Sequence, residues 1–130
     1  MGTARPAAGV GQPEAPGPDE PALDRNEVVV VGRLVAAPTV RELPSGDTLA
    51  SFRVVVRRPE SSRRRPGSPR VDALECAAFR GDVRRTVRSW AEGDVVEVAG
   101  ALRRRFWRSG GAPSSVWEIE VGKARRLVRA

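Results

Sequence analysis

Between Gly100 and Gly111 the chain reads GALRRRFWRSGG, with Arg103, Arg104, Arg105 and Arg108 gathered around Phe106 and Trp107. A guanidinium holds a phosphate through charge-assisted hydrogen bonds, and an aromatic ring gives an unpaired base a flat face to stack on. A solvated loop would need only the arginines, and a buried strand only the aromatics. Both in one run point either to an anion-binding face that also stacks on flat rings, or to two unrelated faces of one strand. If a period of two carries on from Leu102, then Arg103, Arg105 and Trp107 project on one face. Arg104 and Phe106 then fall on the inward side or at the flaring end of a hairpin. Two guanidiniums and an indole together suit a single strand, whose bases stack for roughly 1–3 kcal/mol each. A duplex hides its base faces. The competing expectation is that Trp107 packs locally at the hairpin end.

A second basic segment, RRPESSRRRPGSPR from Arg57 to Arg70, holds six arginines, three prolines and three serines. That composition predicts a mobile loop between two strands, without regular structure, whose Arg57, Arg63, Arg64 and Arg65 could track a phosphate backbone or simply be solvated. Catalysis has little to draw on. The chain has no histidine, no tyrosine and one cysteine, so it offers neither a disulfide framework nor a cysteine metal cluster. Cys76 lies in LECAAF and reads as a small buried hydrophobe. The carboxylates are scattered, with no pair placed for acid/base work. The sequence therefore predicts a binding module with no catalytic residue, no metal and no cofactor.

Charge supports a polyanionic partner. Residues 1–24 carry one arginine against four carboxylates, a net of −3, whereas residues 25–130 carry 22 basic and 12 acidic residues, a net of +10. Such an excess fits nucleic acid, although 22 arginines against a single lysine could also reflect codon composition. No stretch approaches the ~20 apolar residues of a membrane span, and no basic amphipathic helix is evident. The expectation is a soluble, cytoplasmic protein with no membrane partner.

These residues need elements to hold them. MGTARPAAGVGQPEAPGPDEPALD, residues 1–24, has no aromatic and no hydrophobic period, which predicts a disordered tail ahead of one domain over residues 25–130. Val28–Val31 favour a strand, and Gly32 marks a bulge or a close backbone approach. LPSGD makes a turn into TLASFRVVVRR, where Ala50, Phe52, Val54 and Val56 alternate with outward Arg53 and Arg57. VDALECAAFRG is a third strand. Asp82 is the expected N-cap of a helix whose Val83 and Val87, with Trp90, face the core, and Gly93 ends it. DVVEVAGAL places Val96, Val98, Gly100 and Leu102 inward. SVWEIEV places Trp117, Ile119 and Val121 inward, with Glu118 and Glu120 outward. Five short strands with one helix between the third and fourth predict an all-β OB-fold, a five-stranded Greek-key barrel.

The same residues resemble a known family. NEVVVVGRL, then Pro38, Arg41, Pro44, Ser45 and Gly46 around the turn, then ASFRVVV, look like the start of the bacterial single-stranded-DNA-binding proteins. AAFRG, EGDVVEVAGALRRRFW and WEIEV follow in the family's order, and the likeness runs from Asn26 to about Leu127. The resemblance implies sequence-independent binding and protection of single-stranded DNA in replication, repair and recombination. It also implies a homotetramer built through the first strand and the sheet faces. It places the family's stacking tryptophan at Trp107, its DNA-facing basic residues at Arg103 and Arg105, and its stacking phenylalanine at Phe79. Two further tryptophan positions fall on Ala73 and near Glu60, so two stacking platforms are absent. The end KARRLVRA lacks the family's acidic tail, which marks a shortened paralogue and leaves recruitment of repair or replication proteins in doubt. An RNA-binding, primosome or translation-associated OB module remains open as an alternative. So does a protein-interaction oligomer with Phe79 and Trp107 in an interface.

Overall fold

The computed structural model describes residues 15, 17–19, 23–62 and 65–130. Most of the tail expected over residues 1–24 falls outside them, as do Arg63 and Arg64. The elements, in chain order, are β1 (Val28–Leu34), β2 (Thr39–Glu42), β3 (Thr48–Arg57), β4 (Val71–Ala78), α1 (Gly81–Arg88), β5 (Val95–Ser109) and β6 (Ala112–Val128). The strands form one sheet in the order β1-β5-β6-β4-β3-β2, and β1 pairs with β3 as well, which closes the sheet into an OB-type barrel. Every pairing is antiparallel except β4 with β6.

The expected hairpin is present but divided. Val35, Ala36, Ala37 and Pro38 interrupt the first arm: the short, exposed β2 pairs with β3 next to the Leu43–Asp47 turn, and β1 meets β3 at Arg33↔Val55 and Leu34↔Val54. The sequence does not set this sixth strand apart, since TVRE has a single apolar residue and no alternation. β3 follows its pattern: Ala50, Phe52 and Val54 are buried and Arg53 is exposed. Gly32 sits where β1 crosses β3, and a Cβ there would lie 2.3 Å from the Val55 carbonyl oxygen. Close approach, not turn geometry, is what requires this glycine.

The helix begins two residues earlier than expected. Its cap is Arg80, in extended backbone and without a side-chain capping bond. Asp82 lies inside the first turn, where Arg80 Nη2 donates to it at 2.7 Å and holds its carboxyl below the ordinary range. The negative charge still favours the helix N-terminus from there. Val83 and Val87 are buried, and Trp90, just beyond the helix, meets the Phe52 ring edge-on at 5.5 Å. Trp90 is core filling, as its spacing predicts. Cys76 is buried in the same core, and desolvation pushes its thiol up to about 12. Near the helix end the buried Asp94 carboxylate accepts from the backbone N–H groups of Ala91 (2.9 Å) and Ala130 (2.8 Å), and Arg126 lies 3.5 Å away. These contacts, the Ala130 bond first, hold Asp94 below the usual carboxylate range and tie the last residue to the barrel.

Candidate nucleic-acid interface

At Gly100 the β5–β6 pair shifts register, and the two strands then run on as a ribbon to the Ser109↔Ala112 pair. A Cβ at Gly100 would lie 1.9 Å from the Glu120 carbonyl oxygen, so only glycine fits this shift. The β1–β5 ladder ends at Val28↔Gly100. Asn26 extends it with its side chain: Nδ2 donates to the Leu102 carbonyl at 2.8 Å, and the Leu102 N–H donates to Oδ1 at 2.9 Å. One amide thus replaces a backbone partner and fixes the root of the ribbon. The asparagine that opens the family-like motif has this physical task.

The first face of the ribbon carries Arg103 opposite Glu118, Arg105 opposite Val116 and Trp107 opposite Ser114. The ladders continue that face across the barrel, through Ala77↔Glu120 and Arg53↔Glu75. Arg53, Arg103, Arg105 and Trp107 therefore share one outer surface, as the period of two predicts. Each of the three arginines has a carboxylate beside it. Arg53 Nε donates to Glu75 at 2.6 Å, Arg103 Nε to Glu120 at 3.3 Å, and Arg105 Nε and Nη2 to Glu118 at 2.8 and 3.3 Å. The surface is charge-balanced in place, which the overall excess of arginine does not reveal. The Arg105 guanidinium also lies 5.6 Å from the centre of the exposed Trp107 ring, within cation–π range.

Two inward assignments change. Leu102 and Trp117, expected in the core beside Ile119 and Val121, are exposed, because the ribbon has left the barrel there and none of the described residues covers that side. Glu118 does point to the outer face but is only 6 % exposed, covered in part by the Arg105 side chain that pairs with it. The opposite face of the ribbon consequently holds Arg104 between two rings, 4.9 Å from the centre of Phe106 and 5.8 Å from that of Trp117. The Arg104 Nη2 also donates to Ser115 Oγ at 3.1 Å. This set was missed in the sequence; counting pairs back from the Gly110–Gly111 tip would have placed Arg104 opposite Trp117.

The remaining expected residues lie apart from the ribbon or at its margin. Phe79 follows β4, half-buried, and its carbonyl accepts from Arg84. Arg57 ends β3 opposite Val71 and lines an open groove with Val31, Arg33, Val55 and Val95. The basic loop is closed at its base: Arg58 N–H donates to the Arg70 carbonyl at 2.8 Å, and the Arg58 guanidinium binds Asp72 at 2.7 and 3.0 Å. Asp72 raises the Arg58 pKa through that hydrogen bond. The loop is not wholly irregular, since Glu60–Ser62 form a 3₁₀ turn that its composition did not suggest. Arg65 is exposed, with its backbone N–H on Ser68 Oγ at 3.3 Å.

Comparison with known proteins gives a consistent result. The family described as "Single-strand binding protein family" matches residues 25–127. The single-stranded DNA-binding protein of Oceanobacillus iheyensis is 32% identical over 96 residues, which cover 74% of this chain and 58% of that one. Single-stranded DNA-binding protein A of Bacillus subtilis is 30% identical over 84 residues, covering 65% and 48%. The chain spans about half the length of the curated relatives it matches. A solved structure, "Plasmodium falciparum SSB complex with ssDNA", superposes with a TM-score of 0.66 at 19% identity, covering 85% of this chain and all of that one, and so shares the fold. With the barrel, its protruding ribbon and a match over residues 25–127 in agreement, the chain belongs to the single-strand binding protein family.

Proposed function

We propose that this protein is a non-enzymatic, cytoplasmic binder of single-stranded DNA that covers and protects the strand during replication, repair and recombination, with residues 25–130 as the binding unit. The observation that carries this reading is the exposed Trp107 on one face with Arg103 and Arg105, on a ribbon that stands clear of the barrel. A base stacks on the indole while phosphates engage the guanidiniums, and neither contact depends on base identity. Arg53 extends the same surface onto the barrel, and Phe79, Arg57 and the loop around Arg63, Arg64 and Arg65 are further contacts along the strand. Self-association through β1 fits the exposed Val29 and Val31 on its outer side, and a tetramer is the assembly proposed. The test is a titration with fluorescein-labelled oligo-dT read by anisotropy, beside an RNA oligonucleotide of matching sequence. Trp107→Ala should weaken DNA binding by about 1–3 kcal/mol. Unchanged binding in that variant, or tighter binding of the RNA, would overturn the assignment.

A further inference from the structure

We propose that the opposite face of the ribbon, built from Arg104, Phe106 and Trp117, is a second contact surface for the same single strand, with a phosphate on Arg104 and bases against the flanking rings. This rests on the reading that the chain binds single-stranded DNA and adds where the strand goes after Trp107. Three observations carry it.

The rings are open. Phe106 is 61% and Trp117 57% exposed, more than Trp107 at 43%. The charge on this face is also uncompensated. Arg104 is bonded to Ser115 Oγ and Arg108 to the Gly111 carbonyl, and among the described residues neither has a carboxylate partner. None of the residues that alternate onto this face between Leu102 and Arg108, or between Pro113 and Ile119, is acidic. On the Trp107 face, by contrast, both ribbon arginines are held by glutamates. An incoming phosphate must displace a carboxylate there, whereas at Arg104 it displaces only a neutral hydroxyl and water.

The path is short as well. Only Arg108↔Pro113 and Ser109↔Ala112 lie beyond the Trp107↔Ser114 pair, about 7 Å of strand at the usual rise. A single strand leaving Trp107 can turn around the ribbon tip and continue over Phe106 and Trp117. A second copy of this chain is the poorer occupant. A twofold contact through this face would oppose Arg104 and Arg108 of one copy to the same cations of the other, and like charges in apposition oppose association.

The experiment uses the full chain with Trp107→Phe, which keeps a ring at that position and leaves emission from Trp117 and the buried Trp90. Binding of labelled oligo-dT is read by anisotropy and, in a separate titration with unlabelled oligo-dT, by tryptophan emission. The expected result is that saturating oligo-dT quenches emission. Phe106→Ala should further weaken binding by roughly 5- to 150-fold, the range for loss of one stacking ring, and Arg104→Gln should weaken it and reduce its salt dependence. All three positions are exposed, so matched melting curves verify the fold. If anisotropy reports binding while emission stays constant, or if Phe106→Ala and Arg104→Gln both bind like the Trp107→Phe parent, the second surface is refuted and the proposed function stands. Emission that responds to protein dilution but not to DNA assigns the face to a second copy and also refutes it. Absence of anisotropy change in the unsubstituted chain at low salt refutes the DNA-binding reading itself.

Discussion

Replacing Glu120 by glutamine should tighten binding to single-stranded DNA, because it frees a guanidinium that the fold now neutralises. Arg103 Nε and Glu120 Oε2 are 3.3 Å apart, and both side chains are about half exposed. A pair of that kind contributes within about 1 kcal/mol to stability, so the variant should melt close to the parent. The Arg105–Glu118 pair is the poorer choice, since Glu118 is buried and its removal would strand a partly covered charge. Each additional phosphate neutralised on a single strand changes the slope of log affinity against log salt by roughly −0.7. If Arg103 gains one phosphate and this contribution vanishes near 1 M salt, affinity rises about 8-fold at 50 mM and about 3-fold at 200 mM. The assay is oligo-dT anisotropy at four or five salt concentrations for both proteins. Equal slopes and equal affinities at 50 mM would mean that Arg103 faces no phosphate and that the face it shares with Trp107 has been misread.

Asn26→Ala removes both side-chain bonds to Leu102 and should cost about 1–2 kcal/mol, a fall of several degrees in Tm, with faster hydrogen exchange at the Leu102 amide. Gly100→Ala forces a methyl group against the Glu120 carbonyl and should cost about 1–3 kcal/mol or more by overpacking, readable in urea unfolding. Asp94→Asn should lower Tm at neutral pH. Because the folded carboxyl is held below its unfolded value of about 3.9, its stabilisation is complete above that pH and fades as pH falls through the folded value. The Tm gap between parent and Asp94→Asn should therefore narrow below about pH 4; a constant gap would show that Asp94 acts through packing alone.

Much of the barrel was legible because its strands alternate against one core. Ala50, Phe52 and Val54 set the face of β3, and that face fixes Arg53 on the other side. Period-two reasoning also placed Arg103, Arg105 and Trp107 together. It failed at Leu102 and Trp117, where an apolar residue at an inward phase was read as buried. Phase says which side a residue takes, while burial depends on whether another element covers that side, and among the described residues none covers the ribbon there. The ion pairs were hidden for a related reason. Arg103 and Glu120 are seventeen positions apart, and only the hairpin register brings them into contact. Asp82 was misplaced as a cap because a residue type favoured at the cap is also favoured in the first turn by the helix dipole.

The joint between β5 and β6 also bears on how the chain reaches this structure. Two strands of fifteen and seventeen residues meet across two glycines, so their innermost pairs join positions only a few residues apart. A hairpin of this kind closes in microseconds, and each further rung adds little loop entropy. The β1–β5 ladder, by contrast, joins Val28 to Gly100, and the parallel β4–β6 contact must wait for the helix between them. Distant pairings of that sort are slow to form. The ribbon should therefore assemble early and the barrel close around its base, so that rungs near the Gly110–Gly111 tip govern the rate of folding while Asn26 and β1 govern the rate of unfolding.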